Sequence, residues 1–191
     1  MVDYLSQRRK VLFYYCDYAD QRSLDPSNVF GALAKQALER LSTIPDALGR
    51  EIEQADYDGD RISDPQNALH ILRRSIGLLS GQMHIVFDGI DEVSESSKRI
   101  LYDSFRSLLD NPILRIKLFI TGREEVEELL HIKQTIAFSK ILVSQIVISQ
   151  DIESYVRAST RNRIDSGALA IQDPLLERLI VERLVQGAKG M

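Results

Sequence analysis

The sequence predicts an α/β fold built on a parallel sheet. Short apolar segments rich in β-branched and aromatic residues alternate with longer segments whose apolar residues recur at helical spacing. Two Asp-Pro pairs, Asp25-Pro26 and Asp64-Pro65, supply an N-cap and a first-turn proline for the helices that follow. Two of the strand-like segments end in chemically active residues: Asp88 follows Ile85-Val86-Phe87, and Thr121-Gly122-Arg123 follows Ile116 to Ile120.

Element by element, Val2 to Arg9 reads as the end of a helix, and Val11 to Tyr18 as a strand through its aromatic and β-branched content. After Asp25-Pro26, the residues Val29, Phe30, Leu33, Ala37, Leu38 and Leu41 mark one helical stripe. After Asp64-Pro65, Leu69, Leu72, Ile76 and Leu79 mark the next. His84 to Phe87 is a strand. Ser94 or Ser96 then caps a helix carrying Leu101, Phe105, Leu108 and Leu109, and Asn111-Pro112 ends it. Beyond the Ile116 to Ile120 strand come an acidic helix start at Glu124-Glu125 and a further strand within Ile141 to Ile148. Asp151 to Arg163 reads as helical, and Pro174 opens a last amphipathic helix through Leu184. Gly49 to Ser63 is the loosest stretch, and no internal repeat or low-complexity tract is present.

Composition narrows the function classes. At 191 residues the chain has the length of a full domain, and a net charge of −4 argues against a general nucleic-acid or membrane-surface binder. A single cysteine, Cys16, forms no internal disulfide and no thiolate metal cluster; within its aromatic strand it reads as a packed apolar residue. His70, His84 and His131 lack ligand spacing, so zinc is not expected. No apolar run approaches the ~20 residues of a membrane span, and the polar start is unlike a secretory signal. An intracellular, cytoplasmic protein with no membrane or nucleic-acid partner is the resulting expectation.

The run Ile85 to Glu92 carries the sharpest functional signal. A carboxylate at the carboxyl end of a buried parallel strand holds hydrated Mg²⁺ beside a nucleotide phosphate, so Asp88 is the metal candidate, acting through water. Gly89 leaves room for close approach. Asp91 and Glu92 are placed to orient or activate a water for attack on a terminal phosphate. Arg123, leaving the adjacent strand, is the charge sensor for that phosphate, and Thr121 is a strand-end hydroxyl beside it. Against this stand plainer readings: Asp-Gly is a common turn dipeptide, and Arg123 could pair with Glu124 or Glu127 on the surface. Asp56 to Asp60 reads as a solvated turn rather than a calcium loop. A G-x-x-x-x-G-K-[ST] phosphate loop is absent from these residues.

These motifs resemble the NACHT branch of signal-transducing (STAND) P-loop ATPases, in its nephrocystin-type N-terminal form, abundant in fungal multidomain receptors. Phe13-Tyr14-Tyr15-Cys16-Asp17-Tyr18 and Asp25-Pro26 are similar to that family's F-Y-C-D-Y strand and following helix. Ile85 to Glu92 fits its extended Walker B pattern, and Leu118 to Arg123 its sensor strand, with Gly122 where serine is usual. Asp151-Ile152-Glu153-Ser154-Tyr155-Val156 resembles the start of the helix beyond the core sheet.

The resemblance implies an incomplete P-loop NTPase (RecA/AAA-like) three-layer sandwich, missing the central phosphate-loop strand and followed by C-terminal helices. Residues 1–150 would be the truncated core and 151–191 the start of the helical subdomain. Val2 to Leu5 resembles the end of the helix after the phosphate loop, and Gly187 to Met191 a family motif cut in mid-run, so the chain reads as an interior piece of a larger receptor. The implied parent binds ATP or GTP with Mg²⁺ and switches its own oligomerisation or its protein partners. Asp88, Gly89, Thr121 and Arg123 would face the nucleotide, with Asp91, Glu92 and Arg123 catalytic. This chain alone is expected to bind no nucleotide tightly and to be inactive. A catalytically inactive α/β interaction module is the alternative; a receiver-like domain lacks the earlier acidic pair and the later lysine.

Overall fold

The computed structural model describes residues 9–55, 57–58, 61–123, 145–171 and 173–188, together with positions 2, 139 and 141. It divides into two compact units, Met1–Phe138 and Ser139–Met191.

In the first unit, β1 (Lys10–Tyr15) leads through a 3₁₀ turn (Gln21–Leu24) to α1 (Pro26–Leu38) and α2 (Asp46–Glu53). A small antiparallel hairpin, β2 (Tyr57–Asp58) and β3 (Arg61–Ile62), precedes α3 (Pro65–Leu78). Then come β4 (Met83–Asp88), a 3₁₀ turn (Ile90–Glu92), α4 (Glu95–Leu109) and β5 (Ile116–Ile120). The helix starts follow local chemistry. Asp25 accepts from the Ser27 N–H and Asp64 from Gln66 and Asn67, each just ahead of a first-turn proline. Ser94, not Ser96, caps α4 by accepting from Ser97 N–H.

The strands form one parallel sheet in the order β1-β4-β5. Register sets Leu12 beside Ile85 and Ile85 beside Leu118, with Tyr14, Phe87 and Ile120 in the next row. By alternation these residues share one face. Against it lies the core, where Phe105 of α4 meets both Phe30 of α1 and Phe87 edge-on, each at 5.5 Å between ring centres. The central strand is buried from Met83 to Phe87 and emerges only at Asp88. Full burial of each of its apolar side chains, Met83, Ile85, Val86 and Phe87, stabilises the fold by roughly 1.5–3 kcal/mol.

The opposite face carries Val11, Phe13, Tyr15, His84, Val86, Lys117 and Phe119. The described helices of this unit pack on the first face, so a third layer is not among the described residues. At the outer edge of β1, the Gln36 side chain stands in for a neighbouring strand. Its Oε1 accepts from the Phe13 N–H at 3.0 Å and its Nε2 donates to the Phe13 carbonyl at 2.8 Å. Arg40 donates to the Val11 carbonyl in the same way.

Two sequence expectations are corrected. Within Gly49 to Ser63, expected to be the loosest stretch, the described residues include the end of α2, which anchors through Leu48, 1% exposed, and the paired strands β2 and β3, while residues 56 and 59–60 lie outside the described set. The strand expected within Ile141 to Ile148 does not form over its second half, since a helix already begins at Gln145; residues 142–144 lie outside the described set. The helix start at Glu124-Glu125 also falls outside it.

The second unit, described by itself, is a helical pair, α5 (Gln145–Asp165) and α6 (Pro174–Ala188). Gly167, at φ 74°, turns the chain after α5, and Thr160 and Val181 are buried. Arg161 of α5 meets Glu177 of α6 at 3.6 Å.

Candidate functional site at the carboxyl edge of the sheet

All strands of a parallel sheet end on the same edge, so β1, β4 and β5 deliver Cys16, Asp88 and Thr121 side by side. Backbone bonds stitch these exits together. The Cys16 N–H donates to the Asp88 carbonyl at 2.9 Å, Thr121 N–H to the Phe87 carbonyl at 2.9 Å, and Ile90 N–H to the Thr121 carbonyl at 3.1 Å. Gly89 then takes φ 84°, ψ 37°, a left-handed conformation that costs other residues steric strain. A Cβ there would stand 3.2 Å from Cys16 Cβ. The sharp exit folds Ile90 into the core, fully buried, and turns Asp91 and Glu92 back towards the rim.

Each acid of the rim meets a different neighbour. Asp88 Oδ1 accepts from the Thr121 hydroxyl. Asp91 Oδ2 lies 3.2 Å from Arg123 Nε, an ion pair in which the arginine side chain is 86% exposed. Glu92 Oε2 accepts from the backbone N–H of Tyr18 at 2.6 Å. Asp88, Gly89, Asp91, Glu92, Thr121 and Arg123 therefore occupy one rim. Arg123 uses Asp91 as its carboxylate partner, while Glu124 and Glu127 are outside the described residues.

Sequence reasoning did not bring in the turn after β1. Ser23 Oγ accepts from the Asp17 N–H at 2.8 Å and donates to the Asp17 carbonyl at 2.9 Å. Asp20 N–H closes the turn on the same carbonyl. Asp17, Asp20 and Ser23 are turn-forming residue types, which signals the turn but not its contact with Glu92. The rim's negative field shows in Cys16, whose thiol is pushed up to about 12 by burial first, then by Glu92, Asp88 and Asp91. At neutral pH it is a protonated thiol rather than a nucleophile.

Among the described residues no group of three or more His, Cys, Asp or Glu side chains gathers to hold a metal. A cation bound here would draw most of its ligands from water and phosphate, as Mg²⁺ commonly does. No described helix is long and apolar enough to cross a membrane.

The family model described as nephrocystin 3, N-terminal, matches residues 1–123. The chain belongs to this family. The nephrocystin 3 N-terminal match takes in the whole described sheet and ends on Arg123, so every rim residue named above falls within it. No curated protein and no solved structure matches the chain.

Proposed function

We propose that this nephrocystin 3 N-terminal domain carries the acid-and-arginine half of a Mg²⁺–nucleoside triphosphate site of the NACHT (STAND) P-loop type. In the parent, ATP or GTP would drive a switch in oligomerisation. One observation carries the reading: Asp88, Asp91, Glu92, Thr121 and Arg123 converge on the carboxyl edge of adjacent parallel strands, joined by the Arg123–Asp91 pair. Asp88, beside the Thr121 hydroxyl, would hold Mg²⁺ through water. Asp91 and Glu92 would orient the attacking water, and Arg123 would meet the terminal phosphate. Bound Mg²⁺ would neutralise charge developing on that phosphate.

The phosphate loop supplies the main grip on a triphosphate, and the motif is absent from these residues. Isothermal titration of the domain with a phosphate-loop strand supplied should therefore give Mg²⁺-dependent ATP or GTP binding that Asp88→Ala abolishes. Equal affinity in both proteins overturns the reading. The chain by itself should show no turnover; hydrolysis that disappears with Asp88→Ala would contradict this. The second reading, an inactive α/β interaction module, draws on the fact that each rim acid already has an internal partner.

A further inference from the structure

The most specific contact on the rim is one that nucleotide chemistry does not require. Glu92 Oε2 takes the Tyr18 N–H at 2.6 Å, a short charge-assisted bond of the stronger class. The donor is held firmly. Tyr18 is the second residue of a four-residue turn closed by Asp20 N–H on the Asp17 carbonyl at 2.9 Å. Ser23 braces that turn through both backbone groups of Asp17, and the Asp17 carboxylate accepts from the Ala19 N–H at 2.9 Å. The neighbouring Cys16 N–H is bonded to the carbonyl of Asp88 itself, so the turn is anchored to the same strand end as the metal candidate.

We infer that the turn from Cys16 to Asp25 is a latch that regulates the rim by holding Glu92 in a resting position. The inference rests on the nucleotide reading above. The amide occupies Oε2 and pins the carboxylate to the turn, while Oε1 keeps its lone pairs. A ligand that draws Glu92 off the turn towards a phosphate must break this bond and displace the turn. The coupling is reciprocal: movement of the turn by a partner alters affinity at the rim, and occupancy of the rim alters the exposure of the turn. Tyr18, 74% exposed, is the outward face of this device.

The test uses the whole chain with a phosphate-loop strand supplied, millimolar ATP with Mg²⁺ as the probe, and amide NMR as the readout. Signals of Asp88 and Thr121 should shift on titration, and the Tyr18 amide should lose its protection from hydrogen exchange in step. Shifts at Asp88 and Thr121 with the Tyr18 amide still protected overturn the latch and leave the nucleotide site standing. No shift at either residue overturns the site, and the latch with it. Proline is favoured at the second position of such a turn, so Tyr18→Pro removes the donor while keeping the fold of the turn. It should tighten Mg²⁺–ATP binding about tenfold, the scale of one hydrogen bond to a charged group. Tyr18→Ala, which keeps the amide, should bind as the parent does. Equal affinity in both variants overturns the latch. Should Tyr18→Pro fail to fold, Glu92→Ala must strip protection from the Tyr18 amide, and a protected amide in that variant overturns the proposal.

Discussion

The two flanks of the sheet are built differently. On the β1 side, Val11 and Leu12 are fully buried and the outer edge is closed by Gln36 and Arg40, whose side chains satisfy the backbone groups that an edge strand otherwise leaves bare. On the β5 side no residue from Ile116 to Ile120 is fully buried, and among the described residues no strand pairs with its outer edge. One flank is finished within the domain by side chains from its own helix. The other has the composition of an interior strand but, among the described residues, a strand partner on one side alone. A sheet flank is thus made final by the groups that cap its backbone as much as by apolar content.

Substitutions can sharpen or break this contrast. Leu12→Ala should cost about 2–5 kcal/mol in chemical denaturation, as for a fully buried leucine, whereas Leu118→Ala in the same row should cost less than half as much. Equal losses would mean that the flanks are energetically alike. Gln36→Leu should cost about 1 kcal/mol and, because it bares the Phe13 N–H and carbonyl, should raise the oligomer fraction in sedimentation. If the variant stays as monodisperse as the parent, Gln36 does not guard that edge.

His84, on the second face beside Phe119, offers a pH-dependent test. Burial first, then Arg9 and Lys117, holds its imidazole below the ordinary 6.5 despite an opposing hydrogen bond to the Lys10 backbone, and its Nδ1 has no partner among the described residues. The unfolded chain takes up the proton before the folded one does. Stability is therefore intact above 6.5 and declines as pH falls below it, levelling off once the folded value is passed. His84→Leu should flatten that slope in thermal melts at graded pH. Phe119→Thr, at a position 38% exposed, should change stability by no more than about 0.5 kcal/mol. A larger loss would reveal that this ring is buried in solution.

Most of the sheet and its caps were legible because their signals are local. Asp25-Pro26 and Asp64-Pro65 encode helix starts within two residues, and Ile85 to Phe87 is apolar enough to mark a central strand. The rim positions were legible for the same reason, since Asp88 and Thr121 lie at strand ends and Asp91, Glu92 and Arg123 follow within four residues. What escaped depends on distant partners. The helix Asp46–Glu53 is short, and its place is secured by burying Leu48 and by tying Glu51 to His70 at 3.0 Å and Arg74 at 3.3 Å. The β-branched residues near Ile146 to Ile148 favour strand by propensity, yet they sit in a helix, where propensity is a weak prior. The latch on Glu92 uses a backbone N–H as donor, which every residue but proline possesses and which leaves no trace in side-chain patterns.

Gly89 also constrains how this rim can change over generations. Its left-handed torsion and the 3.2 Å gap to Cys16 make the two sites a matched pair, one lacking a side chain because the other has one. Trimming Cys16 to glycine would open space for a methyl group at 89, yet the backbone strain would remain, so asparagine or aspartate would be tolerated there before alanine. Lineages that drift at one of these sites should drift at the other, and the heading of the acid pair downstream should drift with them.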